Sequence, residues 1–457
     1  MRVLKTKIMV TYGPGIADPK VLRGVLRHAD IVRFNMSHGD RVQWLAGIKA
    51  VRSIAKALGR EISIMADLPG PKIRTGRMDA DLKVSKGDIV TFVPSRSKKS
   101  ADCVPVDYPL HNDAKKGCTI DIGDGQLAFH VTAINGDSVV ARALSDGVIG
   151  SDKGVSLIGA HISASPPTAA DVELARFAKS SDFDFIAMSF VKSASNLREL
   201  RARTGKINLI AKIEKSEAVA NIGSIVREAD GVMVARGDLA IEMNIIHIPE
   251  LQKRIVEAAR EAQKPVIVAT QLLASMVDSP VPTRAEASDI ASAVASSVDC
   301  LMLSDETAAG RYPEEAVKFL VEIANAAESQ PSQPVQLDSK IKSINLGIAF
   351  ATASLAERYS TDCIFIPTQT GTSAKIMAAL RPNTRLISVA VSQKVARSLS
   401  LYRGLESVHI KRYDTTDRML AFIRQIAKRE GMHRYIVISS SPNKPGSLDT
   451  MRYIERG

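Results

Sequence analysis

The feature that most constrains the fold is a repeated pattern in the first 310 residues, in which short apolar runs alternate with stretches of helical spacing. Such continuous apolar strands, separated by helices, are typical of a parallel sheet covered on both faces. Eight units of this kind predict a closed (β/α)8 TIM barrel, although an open doubly wound sheet has the same local pattern. The predicted strands are Thr6–Thr11, Ile31–Ser37, Ile62–Asp67, Phe183–Ser189, Leu209–Glu214, Gly231–Asp238, Pro265–Gln271 and Cys300–Glu306.

Helix signals between these runs support the barrel. Arg41–Leu58 has helical apolar spacing and is followed by Gly59, which suits the left-handed conformation at a helix end. Thr168 with Asp171 three residues later predicts a capped helix start, and Pro313 predicts another. The sequence therefore predicts helices in the places that a barrel requires.

One interval breaks the pattern, because more than a hundred residues separate the third and fourth predicted strands. Residues 76–159 alternate in hydrophobicity and contain turn signals such as Asp124-Gly125 and Asn135-Gly136. We therefore expect an inserted small β-barrel, a lid domain projecting from the top of the catalytic barrel. The barrel itself is then assigned to residues 1–75 and 160–330.

A second boundary follows the eighth unit. The segment Glu328–Gln336 is polar and contains two prolines, which is typical of a linker. Beyond it, residues 337–457 are predicted to form a C-terminal α/β domain. Its predicted strands are Cys363–Pro367, Leu386–Val391, Ser407–Ile410 and Tyr435–Ser439.

The net charge restricts the function classes. The 457-residue chain has 61 Lys and Arg against 49 Asp and Glu, a formal charge of +12. Such an excess suits either nucleic acid or polyanionic metabolites. The basic residues are dispersed and only 4% of residues are aromatic, which argues against a nucleic-acid partner.

The chain carries no sign of a membrane or secretory location. No apolar run approaches the roughly 20 residues that cross a bilayer, and the first residues lack the apolar core of a signal peptide. The four cysteines have no C-x-x-C spacing, which argues against a disulfide framework or a zinc site. We expect a cytoplasmic protein that has no membrane partner.

Polar residues follow six of the eight predicted strands, where a barrel enzyme has its active site. Side chains two residues apart share one face of a strand. One such pair would be an ordinary salt bridge, but the repetition predicts a single pocket. The residues are Arg33, Asn35, Ser37, Asp67, Lys212, Glu214, Arg236, Asp238, Thr270, Ser304 and Glu306.

These residue types indicate metal-dependent phosphoryl transfer. Glu214 and Asp238 are hard oxygen ligands from adjacent strands, a pair that suits Mg²⁺ or Mn²⁺. Arg33, Arg74, Lys212 and Arg236 supply positive charge that suits phosphate or carboxylate. Phosphoryl transfer needs positioning and charge neutralisation more than a covalent nucleophile. The P-loop and protein-kinase motifs are missing, so the nucleotide is held by other means.

Nine segments resemble the motifs of one enzyme family. They are Thr6–Ile8, Thr11–Pro14, Arg33–Gly39, Gly70–Gly76, Leu209–Val219, Val232–Leu239, Val268–Met276, Pro282–Asp289 and Leu301–Pro313. Along its whole length the chain resembles the pyruvate kinase family. The similarity implies transfer of phosphate from phosphoenolpyruvate to ADP, giving pyruvate and ATP in the last step of glycolysis. It also implies a homotetramer.

The resemblance also implies roles for individual residues. Glu214 and Asp238 would hold the divalent metal, Lys212 would neutralise the migrating phosphoryl group, and Arg33 would contact phosphate. The backbone of Arg236, Gly237 and Asp238, with the Thr270 hydroxyl, would bind the substrate carboxylate. Thr270, Ser304 and Glu306 would serve the water network that protonates enolpyruvate. Asn35, His38 and Arg74 would face the nucleotide.

One departure from the family concerns K⁺. Members that need K⁺ usually have Glu where this chain has Lys72, after a Thr-Lys pair where it has Leu68-Pro69. The residues that resemble the K⁺ ligands are Asn35, Ser37, Asp67 and Leu68. An ammonium group at Lys72 would occupy the place of the cation, so we expect catalysis without K⁺. An ordinary loop charge at Lys72 is the alternative.

A second departure concerns regulation. A loop after an apolar strand resembles the sugar-phosphate effector loop of the family, and hydroxyls with N–H groups at a helix start suit a phosphate. Its residues are Thr368, Thr370, Gly371, Thr372 and Ser373. The Gly-rich loop that closes this site in the family is replaced here by Ser439–Ser447. Another phosphorylated effector, or a helix cap without a ligand, both remain open.

Two other functions compete with the kinase. A Mg²⁺-dependent lyase or aldolase of 2-oxo acids would share the two carboxylates and an Arg, but would not need the inserted domain or Lys212. A nucleic-acid-binding protein on an old enzyme scaffold would be expected to have lost some of Lys212, Glu214, Asp238 and Thr270. All four are present.

Overall fold

The first domain is a closed barrel of eight parallel strands, as predicted. The structure is a computed structural model that describes residues 4–95, 103–123, 127–160, 162–329, 343–411, 415–439 and 448–456. Each strand pairs with the next barrel strand along the chain, and β17 closes on β1. The strands are β1 (Lys7–Thr11), β2 (Ile31–Asn35), β3 (Ser63–Asp67), β13 (Phe185–Met188), β14 (Leu209–Ile213), β15 (Gly231–Ala235), β16 (Val266–Ala269) and β17 (Cys300–Met302), with β4–β12 inserted between β3 and β13.

Helices surround these strands and begin and end where their capping residues predict. Thr168 and Asp171 form a capping box, and Gly59 ends the second helix in the left-handed conformation with φ of 66°. No helix in the described ranges is long and apolar enough to cross a bilayer. The helices are α1 (Pro19–Leu26), α2 (Arg41–Leu58), α3 (Ala169–Ser180), α4 (Ala194–Thr204), α5 (Ser216–Ala220), α6 (Ile222–Glu228), α7 (Arg236–Met243), α8 (Ile248–Glu261), α9 (Arg284–Ala295), α10 (Asp305–Ala308) and α11 (Pro313–Glu328).

The inserted domain is a nearly closed sheet of short strands, and the predicted hairpin at Asn135-Gly136 is confirmed. Strand β4 precedes residue 76, so the sheet begins earlier than the boundary expected from sequence. The predicted turn at Asp124-Gly125 lies outside the described residues. The strands are β4 (Ile73–Arg74), β5 (Leu82–Val84), β6 (Ile89–Pro94), β7 (Cys103–Val106), β8 (Thr119–Ile122), β9 (Leu127–Asn135), β10 (Ser138–Ala143), β11 (Gly147–Ile149) and β12 (Gly154–Ile158).

The C-terminal domain is a five-stranded sheet in the order β20-β19-β18-β21-β22, covered by four helices. The four predicted strands are confirmed and parallel, and the antiparallel edge strand β22 was not predicted. Most of the predicted linker lies outside the described residues. The elements are α12 (Ile344–Arg358), β18 (Cys363–Thr368), α13 (Thr372–Ala379), β19 (Arg385–Ala390), α14 (Gln393–Ser398), β20 (Leu405–His409), α15 (Thr416–Arg429), β21 (Arg434–Ser439) and β22 (Thr450–Glu455).

The C-terminal domain closes the amino-terminal end of the barrel. Leu401 is fully buried in the barrel interior, where it packs with side chains such as Met9, Met65 and Met233. Three arginines of this domain reach buried carboxylates of the barrel. The pairs are Arg397 with Asp184 at 2.8 Å, Arg381 with Asp299 at 2.6 Å, and Arg403 with Glu328 at 3.0 Å. The two domains therefore share both apolar and ionic contacts.

Replacing Arg403 with Met is expected to lower the free energy of unfolding by about 3–5 kcal/mol, because Glu328 is left as a buried charge without its cation. Urea unfolding followed by circular dichroism measures the loss. The matched control is Arg198→Met, since the Arg198–Glu228 pair is exposed to solvent and such pairs contribute about 0–1 kcal/mol. Equal stability of the two variants would contradict the structural role of Arg403.

Candidate functional site

The predicted site residues lie at the carboxyl ends of the barrel strands, but six of the eight strands end earlier than expected, and at two of them a helix begins within the predicted strand. Strand β15 ends at Ala235 and α7 begins at Arg236, while β17 ends at Met302 and α10 begins at Asp305. The strand alternation predicted for Arg236 with Asp238, and for Ser304 with Glu306, is therefore wrong. These residues are positioned by helix starts at the same end of the barrel.

Lys212 is the centre of the site. Its Nζ lies 2.9 Å from Glu214 Oε1, 3.2 Å from Asp67 Oδ1 and 2.8 Å from Ser189 Oγ. The Lys212 side chain is 12% exposed, and the two carboxylates are almost fully buried. An ammonium group is thus fixed between two carboxylates in a place from which water is mostly excluded.

Arg33 extends this cluster along the neighbouring strand. Its Nε donates to Asp67 Oδ2 at 2.7 Å, and its Nη1 donates to Thr11 Oγ1 at 3.0 Å. The guanidinium is 11% exposed. Asp67 therefore holds two cations at once, one on each of its oxygens, and directs both toward the carboxyl end of the barrel.

Burial and charge act together on the ionisation of the cluster. Burial opposes the charge of Lys212, but Asp67 and Glu214 outweigh it and raise the Lys212 pKa. Burial likewise opposes the charge of Asp67, and Lys212 with Arg33 still holds the pKa of that carboxyl below its ordinary value. Burial, with a contribution from nearby Asp238, raises the pKa of Glu214. Lys212 is therefore a permanent positive charge at neutral pH.

Glu214 and Asp238 are two neighbouring carboxylates that suit a metal. Glu214 Oε2 accepts a hydrogen bond from Phe190 N–H at 2.7 Å, and Asp238 is half-buried. In the described part of the chain, no group of three or more His, Cys, Asp or Glu side chains converges on one point. Two hard oxygen ligands whose repulsion a divalent cation would relieve fit Mg²⁺ or Mn²⁺, with substrate and water completing the coordination.

The start of α7 is locked to the end of β16. Gly237 N–H donates to Thr270 Oγ1 at 2.9 Å, and Arg236 donates to the Thr270 carbonyl at 2.8 Å and to Asp289 at 2.6 Å. Thr270 and Gln271 have φ of 68° and 55°, which is strained for residues other than glycine. The guanidinium of Arg236 is used in these hydrogen bonds between the two segments, whereas Gly237 lines the cavity described below.

Ser304 and Glu306 adjoin this segment. Glu306 is buried, and its two oxygens accept hydrogen bonds from Leu273 N–H at 3.1 Å and Ser304 N–H at 2.6 Å. The Ser304 hydroxyl is buried and has no hydrogen-bond partner among the described residues. A buried hydroxyl without a partner is costly unless a ligand or water bonds to it.

A cavity of about 1090 Å³ lies over these residues, and both the barrel and the inserted domain form its walls. Asp238 lines it and acts electrostatically on Lys212 and Glu214, so the charged cluster adjoins the cavity. The side that approaches from the inserted domain includes Asp121 and Ile158. Barrel-side residues that line it are Gly237, Asp238, Thr270, Ser304 and Glu306. The volume suits a small phosphorylated substrate.

The predicted nucleotide residues do not line this cavity. Asn35 lies beside Asp67 in the sheet register, His38 is exposed, and Arg74 donates to the Asp152 carbonyl at 3.0 Å within the inserted domain. Of the predicted monovalent-cation residues, Asn35 Oδ1 accepts Ser37 N–H, and the Leu68 carbonyl accepts the Ser189 hydroxyl.

Lys72 is half-buried and lines the same cavity as Asp238. Its ammonium group has no ion pair or hydrogen bond with any residue that the structure describes. It is therefore available to a ligand.

The loop predicted to bind an effector forms the start of α13. Thr368 Oγ1 accepts Gly371 N–H at 2.9 Å, Thr370 Oγ lies 3.0 Å from Thr372 Oγ, and Ser373 is buried. The segment that was expected to close this loop, Ser439–Ser447, lies outside the described residues except for Ser439. The structure thus describes one side of the predicted effector site.

Four groups of the site were missed by the sequence analysis. Thr11, Ser189 and Asp289 accept hydrogen bonds from Arg33, Lys212 and Arg236, in that order. Phe190 N–H donates a hydrogen bond to Glu214. Thr11 and Ser189 end the two predicted strands that were left out of the pocket, so the same strand-end pattern could have found them. A backbone N–H has no signal in the sequence.

Comparisons with known proteins agree on one family. The family description "Pyruvate kinase, barrel domain" matches residues 3–317, and "Pyruvate kinase, alpha/beta domain" matches residues 347–454. The chain is 36% identical to a pyruvate kinase of Mycobacterium tuberculosis over 97% of this chain and 96% of the relative. It is 34% identical to one of Bacillus licheniformis over 98% and 80%. A crystal structure of a pyruvate kinase from Cryptosporidium parvum superposes with a TM-score of 0.91 at 30% identity, covering 99% of this chain and 96% of that chain.

Proposed function

The chain belongs to the pyruvate kinase family and is an enzyme of that family, and from this premise we propose the details of its reaction. It transfers the phosphoryl group of phosphoenolpyruvate to ADP with Mg²⁺ or Mn²⁺, and acts in the cytoplasm in the last step of glycolysis. The bond between phosphorus and the enol oxygen breaks, a bond to a terminal oxygen of ADP forms, and enolpyruvate takes up a proton at carbon. The observation that carries the proposal is the buried ammonium of Lys212 beside Arg33, Glu214 and Asp238.

Lys212 and Arg33 stabilise the transferred phosphoryl group. They are fixed through Asp67, so their charge is already oriented before substrate binds. Fixed charges in a site with little water stabilise developing negative charge more strongly than mobile ones in solvent. Phosphoryl transfer depends mainly on such positioning and neutralisation.

Glu214 and Asp238 would hold the divalent metal. Burial and the neighbouring Asp238 raise the pKa of Glu214, and a divalent cation bound by both carboxylates would relieve their repulsion. Such a cation would supply positive charge to the reacting oxygens.

The residues that bind the substrate carboxylate and deliver the proton line the cavity around the starts of α7 and α10. The substrate carboxylate binds at the start of α7, where the helix dipole favours an anion. Gly237 N–H, which donates to Thr270 Oγ1, and the Thr270 hydroxyl, which donates to the Ala269 carbonyl, turn to the carboxylate when the substrate binds. Ser304, Thr270 and Glu306 hold the water chain that protonates enolpyruvate. The Ser304 hydroxyl, buried without a partner, supports this role because such a water satisfies it.

Coupling pyruvate formation to NADH oxidation tests the function. Turnover that requires phosphoenolpyruvate, ADP and a divalent metal together is the expected result. Pyruvate release from another 2-oxo acid substrate without ADP would instead support the lyase or aldolase alternative. No turnover with any of several divalent metals would reject the kinase.

Catalysis is proposed to proceed without K⁺, because the Lys72 ammonium supplies the charge that K⁺ supplies in other members. Its half-buried position on the cavity and its lack of an ion pair among described residues support this role. Asp67, the charged member of the set Asn35, Ser37, Asp67 and Leu68, already bonds two cations. We expect kcat in tetramethylammonium buffer without K⁺ to equal kcat in a buffer that contains K⁺.

The variant Lys72→Glu is expected to make activity depend on added K⁺, because it replaces the fixed cation by a carboxylate. Lys72→Gln is the matched control: it removes the charge without adding an acid, so added K⁺ should restore less activity. Kinetics in KCl and in tetramethylammonium chloride at equal ionic strength measure both. A wild-type enzyme that is active only after K⁺ is added would contradict the proposal.

Three further properties complete the proposal. The protein is a homotetramer, in line with the family. Asn35, His38 and Arg74 contact the nucleotide as the inserted domain moves over the barrel.

The loop of Thr368, Thr370, Gly371, Thr372 and Ser373 binds a phosphorylated effector. The Thr370 and Thr372 hydroxyls, which lie 3.0 Å apart, would turn to the phosphate together with N–H groups at the start of α13. A shift of the phosphoenolpyruvate saturation curve by sugar phosphates, lost in Thr372→Val, tests the effector loop.

A further inference from the structure

A second large cavity, here called the interdomain cavity, lies between the barrel and the C-terminal domain. Its volume is about 790 Å³. The barrel side is formed by the end of α2 and the segment before β3, and the other side by α14, β20 and α15. It lies near the amino ends of the barrel strands, at the end opposite the active site.

Its floor is an ion-pair network that joins the two domains. Asp182 accepts hydrogen bonds from Arg52 Nε at 2.8 Å and from Arg397 Nη2 at 2.7 Å. The same two arginines also bond the buried carboxylate of Asp184. Both guanidinium groups are less than one fifth exposed, and the carboxylates of Asp182 and Asp184 balance their charge.

The walls carry basic side chains that the floor does not use. Of the five Lys or Arg residues that line the cavity, Arg52 and Arg397 bond Asp182 and Asp184, and Arg60 bonds Asp30, which leaves Lys56 and Arg429. Lys56 and the half-buried ring of His409 have no hydrogen bond or ion pair among the residues that the structure describes. Arg429 has only a 3.4 Å contact to Glu430, a carboxylate that Arg385 already bonds at 2.5 Å. These three groups can each donate to an anion.

One acceptor faces the donors. Glu61 is half-buried and has no hydrogen-bond or ion-pair partner in the described ranges. Burial raises its pKa even though Arg397, His409 and Arg52 oppose the shift. A carboxyl group in this situation suits the hydroxyl groups of a ligand, which donate to it. The Glu61 carboxyl would repel a second phosphate nearby.

An apolar strip completes the cavity. Ile62, Val408, Phe422 and Ile426 line it beside the amides of Gln393 and Gln425. Walls that are partly apolar, with a few fixed polar groups, are typical of small-molecule sites of about 300–1000 Å³. A lone phosphate ion would leave most of the volume and the apolar strip without contacts.

We infer that the interdomain cavity binds a phosphate monoester of a sugar or of a nucleoside. Lys56, His409 and Arg429 hold the phosphate, because three donors that line one cavity suit its oxygens. Glu61 accepts from the ring hydroxyls, and Phe422 with Ile62 packs on the ring. This site is separate from the loop at the start of α13, and it rests on different residues.

Because Arg397 of the C-terminal domain and Arg52 of the barrel share its floor, a ligand here touches both domains at once. Binding would therefore favour the docked arrangement over any separation of the two domains. The inference concerns ligand binding and stands whether or not the chain has the proposed catalytic details.

Isothermal titration calorimetry with the full-length protein tests the site. The probes are AMP, ribose 5-phosphate and glucose 6-phosphate, with adenosine, ribose and inorganic phosphate as comparisons. At least one ester should bind more tightly than both its dephosphorylated form and inorganic phosphate. AMP as the tightest ligand identifies a nucleotide site, and a sugar phosphate as the tightest identifies a sugar-phosphate site.

Variants locate the binding. Lys56→Glu and His409→Ala should each weaken the ester about tenfold or more, since each removes a charged or polar donor to phosphate. The matched controls are Lys253→Glu, a charge reversal on an exposed helix face, and Thr372→Val in the α13 loop, and both should leave the affinity unchanged.

Of the four results that would overturn the inference, three concern the wild-type protein and the cavity variants. They are the failure of every ester to bind, binding of inorganic phosphate as tightly as the esters, and ester binding that survives both Lys56→Glu and His409→Ala. Loss of binding in Thr372→Val alone would assign the ligand to the α13 loop instead and would also overturn it. Thermal melting of each variant verifies that it is folded, and the exposed Lys56 side chain makes Lys56→Glu the safer test.

Discussion

Turnover of the Lys212→Met variant is expected to fall by about 10³- to 10⁵-fold, the range that a single cation contributes to phosphoryl transfer. Met keeps most of the length and volume of the side chain but has no charge. The variant loses the ammonium that lies 2.9 Å from Glu214 and 3.2 Å from Asp67, while Arg33 keeps its bond to Asp67. The loss should appear in kcat, because the charge is needed most when the phosphoryl group is in transit.

Stability has to be separated from catalysis in this variant, because Met leaves two buried carboxylates with one cation fewer. The matched control is Lys264→Met, which removes a half-buried lysine from the other end of the barrel, where its Nζ donates to the Ala229 carbonyl. Steady-state kinetics and thermal melting of both variants distinguish the effects. A folded Lys212→Met variant with more than about a tenth of wild-type kcat would reject the proposed role.

The second large effect is expected for Glu214→Gln, which should lower kcat/KM and the apparent affinity for Mg²⁺ by about 10²- to 10⁴-fold. A metal contributes several kcal/mol of charge stabilisation to such a reaction, and each 1.36 kcal/mol is a factor of ten. Gln keeps an oxygen for Phe190 N–H, so the backbone contact at 2.7 Å can persist. The neutral amide cannot supply the charge that Lys212 and a divalent cation require.

Glu242→Gln is the matched control, because Glu242 lines the same cavity but is paired with Lys215 at 2.8 Å. It should leave the Mg²⁺ saturation curve nearly unchanged. Mn²⁺ binding followed by electron paramagnetic resonance gives a readout that does not depend on turnover. Normal Mn²⁺ binding by Glu214→Gln would show that the carboxylate is not a ligand.

The barrel could be predicted because each strand is buried on both faces and so is a continuous apolar run. Helix α2 was predicted over Arg41–Leu58 because Gly59 marks its end with a local signal. The ends of β15 and β17 were predicted too late because no local signal marks them. Neither α7 nor α10 has a side-chain cap: no hydrogen bond from the side chain of Ser304 caps α10, and Ala235 has no group that could cap α7. Without such a signal the strand pattern runs on into the helix.

The charged side chains of the site were easier to predict than the partners that position them. Lys212 and Glu214 stand out in the sequence because they follow an apolar run two residues apart. The tertiary partners that fix them do not, since Ser189 is one of many serines and Phe190 acts through its backbone N–H. Strand β22 was not predicted because it is an edge strand whose residues are mostly exposed, so it has no apolar run in the sequence.

The contact of Leu401 with the barrel interior has a consequence for the order of events during synthesis. The strands of the barrel are complete once Met302 has been made, but the residue that fills the amino-terminal end of its interior is made about a hundred residues later. Chains are made at about 5–20 residues per second, so the barrel interior stays open at that end for several seconds. During this interval Met9, Met65 and Met233 face an incomplete core, and the nascent barrel is most exposed to aggregation and to chaperones before the C-terminal domain has emerged.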